Sequence, residues 1–297
     1  MIHISIPTTF NIFGLTIGTY GIVFTLAYLT SLVITQTRAT KRKLDKDFIV
    51  GIFVNAVIFG ILGAKLFYVL SVGKNFFNIY TFWELMLQKN GFVAYGGIIL
   101  GILSNFIWCI IRKKDFYTYF DIVMPSVAAS QAVGRLGCLI DGCCYGLPAA
   151  TTHWYTVMYD RSPYMMPGIP IIPIQLVASF GDLLLCIVLI IFSNKVKTKG
   201  CTASLYMILY SIGRFIIEYF RGDFRGNVGA LSTSQFISIF IFLIGVIQMI
   251  YCINREKLWK NIRELQEAAK RQKRIRERQK IKETKARKRR NRKHGRN

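Results

Sequence analysis

Residues 48–72 read FIVGIFVNAVIFGILGAKLFYVLSV, 25 positions that carry one ionisable side chain. A helix of about 20 apolar residues spans the hydrocarbon of a bilayer, so this stretch takes the chain out of the soluble class. Outward from it, further apolar runs occupy roughly 17–36, 92–111, 171–193, 202–220 and 235–253, and a weaker one covers about 119–134. The weaker run holds Asp121, Pro125 and Gln131. It is expected to face protein or a wet cavity, because an unpaired polar group in lipid is expensive. The reading is an all-α polytopic membrane protein of about seven transmembrane helices.

Composition separates the chain into two regions. It has 297 residues, 53% of them hydrophobic, yet a formal net charge of +24. Residues 255–297 hold 20 Lys/Arg against 5 Asp/Glu and so supply +15 of that charge. The expected division is a membrane domain over 1–254 and a basic, amphipathic-to-disordered tail over 255–297. In the tail Leu258, Ile262, Leu265 and Ala269 recur at helical spacing before the sequence becomes nearly pure Arg/Lys. Such a tail suits anionic lipid headgroups, each basic residue contributing about 1 kcal/mol near the surface, or serves as a solvated topogenic segment. Its one aromatic, Trp259, gives no series of stacking residues, so no nucleic-acid partner is expected.

Loop charge sets the orientation. Arg38, Lys41, Arg42, Lys43 and Lys46 follow the first run, Arg112, Lys113 and Lys114 the third, and Lys195, Lys197 and Lys199 the fifth. The other connections are less basic, with Lys74 and Lys89 offset by Glu84, Asp160 beside Arg161, and Arg221 and Arg225 beside Asp223. Basic loops stay cytosolic, so the N-terminus is expected outside and the C-terminus in the cytosol. No Lys or Arg precedes the first apolar run and no small-residue cleavage pattern follows it, so that run is read as a retained helix.

Three constellations can carry chemistry. Arg214, Glu218 and Arg221 stand at i, i+4 and i+7, on one helical face extended by Tyr206 and Tyr210, where a phosphate or a purely structural ion-pair ladder would fit. The stretch Gly134-Arg135-Leu136-Gly137-Cys138 through Cys143, Cys144, Tyr145 and Gly146 carries four glycines in thirteen residues, which reads as a loop at membrane depth with Arg135 aimed inward. Such a loop offers amide donors and a guanidinium to an anion. Tyr95-Gly96-Gly97 opens the third run, where paired glycines let a helix or a ligand approach the backbone.

These segments together resemble the phosphatidylglycerol:prolipoprotein diacylglyceryl transferase family, over about residues 20 to 253. Gly134, Arg135, Gly137 and Gly146 match its G-R-x-G-N loop, and Arg214, Glu218 and Arg221 match its R-x-x-x-E-x-x-R helix. Tyr95-Gly96-Gly97 aligns with the family's H-G-G, Ile172-Pro173-Ile174-Gln175 with H-P-S-Q, and Tyr20 with a first-span Tyr. The resemblance implies a bacterial inner-membrane enzyme with no cofactor. Its donor would be phosphatidylglycerol and its acceptor the lipobox cysteine of a prolipoprotein signal peptide. Arg135 and Arg214 would hold the phosphate, with Glu218 and Tyr95 beside them. Tyr20, Gly96, Gly97, Gly134, Gly137, Cys138, Gly146, Gln175 and Arg221 would line the substrates.

The chain departs from the family pattern at Tyr95, where the family has His, and at Cys138 and Cys143, where it has Asn and Glu. These departures leave open a non-catalytic phospholipid-binding or lipoprotein-escort protein, or a paralogue with another acceptor. Seven cysteines is an odd number, and Cys109, Cys186 and Cys252 lie within apolar runs, which argues against a disulfide framework. Cys138, Cys143, Cys144 and His153 admit a zinc set or a redox pair. Unmodified pocket lining without metal is the expected state.

Overall fold

The computed structural model describes residues 2–4, 9–12, 15–72, 79–88, 91–160, 162, 164, 167–223 and 226–294. Lys74, Lys89, Arg161 and Arg225, counted above among the loop charges, lie outside them. Each apolar run forms a helix: α1 (Thr19–Lys41), α2 (Lys46–Val72), α4 (Ala94–Ile111), α5 (Phe116–Asp141), α6 (Ile174–Lys195), α7 (Cys201–Glu218) and α8 (Thr233–His294). A short helix α3 (Ile79–Leu87) follows α2. Six of these, all but α3 and α7, are long and apolar enough to cross a membrane. The candidate seventh, α7, forms within the expected limits but includes Arg214 and Glu218 in its 18 residues, which dilutes its apolarity. The chain is a multi-pass membrane protein. Its outward apolar side chains, such as Phe24, Val33, Ile98, Ile110 and Phe180, are exposed as a lipid-facing surface requires.

Short strands decorate one end of the bundle. They are β1 (Ile2–Ile4), β2 (Thr9–Ile12), β3 (Leu15–Gly18), β4 (Val157–Tyr159), β5 (Asn227–Val228) and β6 (Leu231–Ser232). β1 runs parallel to β4, while β2–β3 and β5–β6 are antiparallel pairs.

Within the unit Met1–Met249, close glycine contacts and buried polar pairs hold the helices together. In α2 and α4, glycines face one another: a Cβ on Gly63 would fall 2.6 Å from Leu100 Cβ, and one on Gly97 would fall 2.7 Å from the Gly60 carbonyl. Backbones this close leave no room for a side chain, so α2 occupies the approach that Gly96 and Gly97 provide. α5 lies between α1 and α6 and is the central element of the site. Ser126 of α5 bonds Ser31 and Thr35 of α1, and Ser179 of α6 donates to the Ala132 carbonyl. The polar groups of the weak run all face protein. Asp121 accepts from the amides of Gly200 at 2.7 Å and Ala203 at 2.8 Å, capping α7, and Gln131 accepts from the Tyr206 hydroxyl. Apolar contacts among Ala128, Ala129, Leu185, Cys186 and Leu189 close this layer.

The expectation of a loop beginning at Gly134 is corrected here. Helix α5 continues through Gly134, Arg135, Gly137 and Cys138 and ends at Gly142, whose φ is 74°. The helix tolerates its glycines because each costs only about 1 kcal/mol against alanine, less than the packing of α1 and α6 on its faces supplies. The amides of 134–138 are therefore spent inside a helix and are not free donors.

Residues 250–297 form a separate compact unit, continuing α8. Leu258, Trp259 and Leu265 are exposed there, and the Ala269 side chain lies outside the described residues.

Candidate active site

Helical spacing on α7 brings Arg214 and Glu218 together: Arg214 Nη2 lies 2.7 Å from Glu218 Oε2 and also donates to Ser234 Oγ of α8 at 2.7 Å. Its other terminal nitrogen, Nη1, is buried without a hydrogen-bond partner among the described residues. A buried guanidinium nitrogen in that state is a donor held ready for an acceptor that arrives later.

The second arginine comes from α5. Arg135 Nε lies 3.9 Å from Asp182 Oδ2 on α6, and both side chains are largely buried. Arg135, Asp182, Tyr210 and Arg214 line one cavity of about 240 Å³, whose remaining wall includes Ala178, Gly181, Leu185, Leu209, Gly213 and Ile217. An apolar recess with two guanidinium groups in its wall suits an anionic headgroup attached to acyl chains.

Arg221 is differently placed. Its Nε and Nη2 pair with both oxygens of Asp223 at 2.9 and 2.8 Å, while Glu218 Oε2 stands 3.8 Å away. Burial alone would lower its pKa, but the hydrogen bonds of Asp223 and Cys144 raise it. The charges are matched in pairs, Glu218 with Arg214, Asp223 with Arg221 and, across α5 and α6, Asp182 with Arg135.

A strand-like bridge holds the two signature segments together. Gly146 pairs with Arg221, the Leu147 amide donates to the Phe220 carbonyl at 3.1 Å, and the Gly222 amide to the Tyr145 carbonyl at 3.0 Å. Gln175, 1% exposed, donates from Nε2 to the Cys143 carbonyl at 2.9 Å, and its Oε1 has no partner among the described residues.

Comparison with known proteins bears on this arrangement. The family model described as prolipoprotein diacylglyceryl transferase matches residues 7–251. A phosphatidylglycerol–prolipoprotein diacylglyceryl transferase of Clostridium tetani is 41% identical over 241 residues, 81% of this chain and 95% of that protein. One from Clostridium perfringens is 39% identical, covering 83% of this chain and 94% of its own, and one from Finegoldia magna is 34% identical, covering 81% and 93%. The chain belongs to the prolipoprotein diacylglyceryl transferase family.

Within this family member, Arg135 and Arg214 line the cavity, Glu218 pairs with Arg214 and lies 3.8 Å from Arg221, and Gln175 holds the Cys143 carbonyl. Tyr20 and Tyr95 do not line it; they are 43% and 38% exposed, and Tyr20 packs near Gly137 of α5. Gly96 and Gly97 are consumed by the contact with α2, Gly134 borders open space, and Gly146 abuts the Ile172 carbonyl. Asp182, Ser234 and Asp223 were not singled out from sequence. Asp182, an ionisable residue within the run 171–193, was the available signal.

The cysteines divide. Cys138, Cys143 and Cys144 bring their sulfurs within 4.8 Å of one another. The hydrogen bonds of Cys138 and Cys144, with burial, push the Cys143 thiol up. His153 is absent from this group; it is exposed and its Nε2 bonds Thr151 Oγ1 at 3.1 Å.

Proposed function

We propose that the protein transfers the diacylglyceryl group of phosphatidylglycerol to the lipobox cysteine thiol of prolipoproteins, with release of glycerol phosphate. The observation that carries this reading is the shared cavity of Arg135 and Arg214, with Arg214 Nη1 unpartnered. The printed names of the relatives give the same donor and acceptor.

In the reaction the acceptor sulfur, having lost its proton, attacks the glyceryl carbon bonded to the phosphate oxygen. The C–S bond forms as the C–O bond breaks, and both electrons of the C–O bond leave with the phosphate. A diester monoanion thereby becomes a monoester dianion. Two guanidinium groups stabilise the growing charge more than the ground state, which lowers the barrier. Glu218 and Ser234 hold Arg214 in position, and Asp182 does the same for Arg135. Tyr95 serves as a hydrogen-bonding group, its phenol both donating and accepting. Tyr20 and Gln175 stand outside the lining of that cavity, so any contact they make is with parts of the substrates beyond the phosphate, and Gly134, Gly137, Cys138 and Gly146 shape the approach.

The membrane is the bacterial inner membrane, with the N-terminus outside and residues 255–297 in the cytosol against anionic headgroups. The basic loops after α1, α4 and α6 support this orientation.

The test is purified full-length protein incubated with labelled phosphatidylglycerol and a lipobox peptide. Thioether-linked peptide and glycerol phosphate, formed in equal amounts, are expected. Tight lipid binding with no product would instead make this a lipid-binding member of the family and overturn the enzyme reading.

A further inference from the structure

The end of α5 gathers three thiols by backbone geometry alone. The Cys138 carbonyl accepts from the amides of Gly142 and Cys143, with Gly142 left-handed at φ 74°. This is a Schellman turn, which brings the side chain three positions before the helix end against the one just past it. Those two positions are Cys138 and Cys143. Cys144 is itself left-handed at φ 58°, an unusual conformation for a residue with a Cβ, of the kind that accumulates at functional sites. The interval between Cys138 and Cys143 is C-x4-C, a spacing that zinc ligands use, and the third thiol, Cys144, follows directly on Cys143.

We propose that Cys138, Cys143 and Cys144 bind one zinc ion as three thiolates, leaving its fourth position open to an incoming thiol. A tetrahedral ion with Zn–S bonds of about 2.3 Å needs sulfurs about 3.8 Å apart. The three sulfurs already lie within 4.8 Å of one another, so a small adjustment of side chains closes the site. Zinc with three thiolates carries one net negative charge. Arg221, hydrogen-bonded to Cys144 as well as paired with Asp223, and Arg135, one turn before Cys138 on α5, are the nearby cations that lower the cost of that charge, although each also faces a carboxylate. Gln175 fixes the Cys143 peptide from α6, and outer contacts of this kind orient ligands. With His153 turned away to Thr151, no fourth protein donor joins the group among the described residues, and three protein ligands with one open position is the arrangement of exchangeable zinc sites.

Each cysteine gives its proton to solvent as its S–Zn bond forms, and no electrons are transferred. Water occupies the fourth position until a thiol displaces it and loses its own proton. Resting on the transferase reading, that thiol is the lipidation acceptor, which the metal holds as a nucleophile beside the arginine cavity. This supplies an activating group beside the arginine cavity.

The experiment uses the full-length chain without a polyhistidine tag, in detergent micelles with a phosphine reductant. Elemental analysis and cobalt titration should give about one ion per chain, with sulfur-to-cobalt charge-transfer bands and tetrahedral visible bands. Cys143→Ser and Cys144→Ser should each weaken uptake by at least about a hundredfold, the upper end of what outer-contact changes cost. Cys186→Ser, on α6, should leave it intact. Should either serine variant fail to fold, zinc protection of three thiols from alkylation in the unsubstituted protein carries the test. A lipobox peptide should shift the cobalt bands and its serine analogue should not. No uptake by the unsubstituted protein, or full uptake in both serine variants, overturns the site. Uptake without response to the peptide thiol overturns the fourth-position assignment. Transfer activity is scored separately, so zinc uptake without lipidated peptide refutes the transferase reading and leaves the metal site standing.

Discussion

At Arg214, one terminal nitrogen is committed to Glu218 and Ser234 while the other is buried without a partner among the described residues. The planar fork lets one side chain hold its supports and still present donors to the cavity. A lysine has no such fork and must give up one set of contacts. Arg214→Lys should therefore lower kcat/KM by on the order of a hundredfold, the loss typical of removing one aimed donor, with unchanged protein in the membrane fraction. Arg135→Lys should fall in the same direction. Turnover at the unsubstituted rate in both variants would reduce the pair to structural partners. These two arginines were legible in sequence because charge inside or beside apolar runs stands out. Asp182 was not singled out, since its meaning depends on Arg135, 47 positions earlier on another helix.

Helix ends and crossings decide how the arginines are presented. α7 begins on Gly200, and Asp121 of α5 accepts from the amides of Gly200 and Ala203, so one buried carboxylate ties the two arginine-bearing helices together. Asp121→Ala leaves those amides without a partner. It should cost about 1–2 kcal/mol, as loss of a helix cap does, read as a lower thermal midpoint in detergent. A midpoint equal to that of the unsubstituted protein would remove Asp121 from this role. The crossing of α2 and α4 gives a differential test. Gly63→Ala should destabilise by about 1–3 kcal/mol because its Cβ meets the Gly96 backbone and Leu100. Gly21→Ala on α1 meets nothing within 4 Å and should be neutral or stabilising by up to about 1 kcal/mol. Equal effects would mean the crossing is looser than described. The spans themselves were legible because hydropathy is a local property. The course of α5 past Gly134 was not, since local composition argued for a loop while α1 and α6, distant in sequence, settled the matter. The strand pairs escaped because two to three residues carry too short a pattern, and for β1 the partner β4 lies more than 150 positions away.

For the molecule as a whole, charge and chemistry fall in different parts of the chain. Every residue lining the cavity lies before Met249, whereas residues 255–297 supply +15 of the net charge of +24. On the proposed orientation, protease added outside spheroplasts should spare everything beyond Arg255, and cleavage there would reverse the topology. The same separation predicts what the tail does. Its Lys and Arg side chains gain energy from anionic headgroups only within about a Debye length, about 10 Å at 0.1 M salt and 3 Å at 1 M. Trypsin should therefore cut the tail of the full-length protein more slowly in phosphatidylglycerol nanodiscs than in phosphatidylcholine nanodiscs, and the difference should vanish as salt approaches about 1 M. Removing residues beyond Lys270 should leave transfer to the lipobox peptide intact, because the cavity, the capped helix α7 and the thiol cluster are all retained. Equal cleavage rates in both lipids would make the tail a solvated topogenic segment. Loss of transfer in a correctly inserted truncation would show instead that the basic residues beyond Lys270 act on the site, and a matching loss in the full-length protein at high salt would assign that action to their positive field.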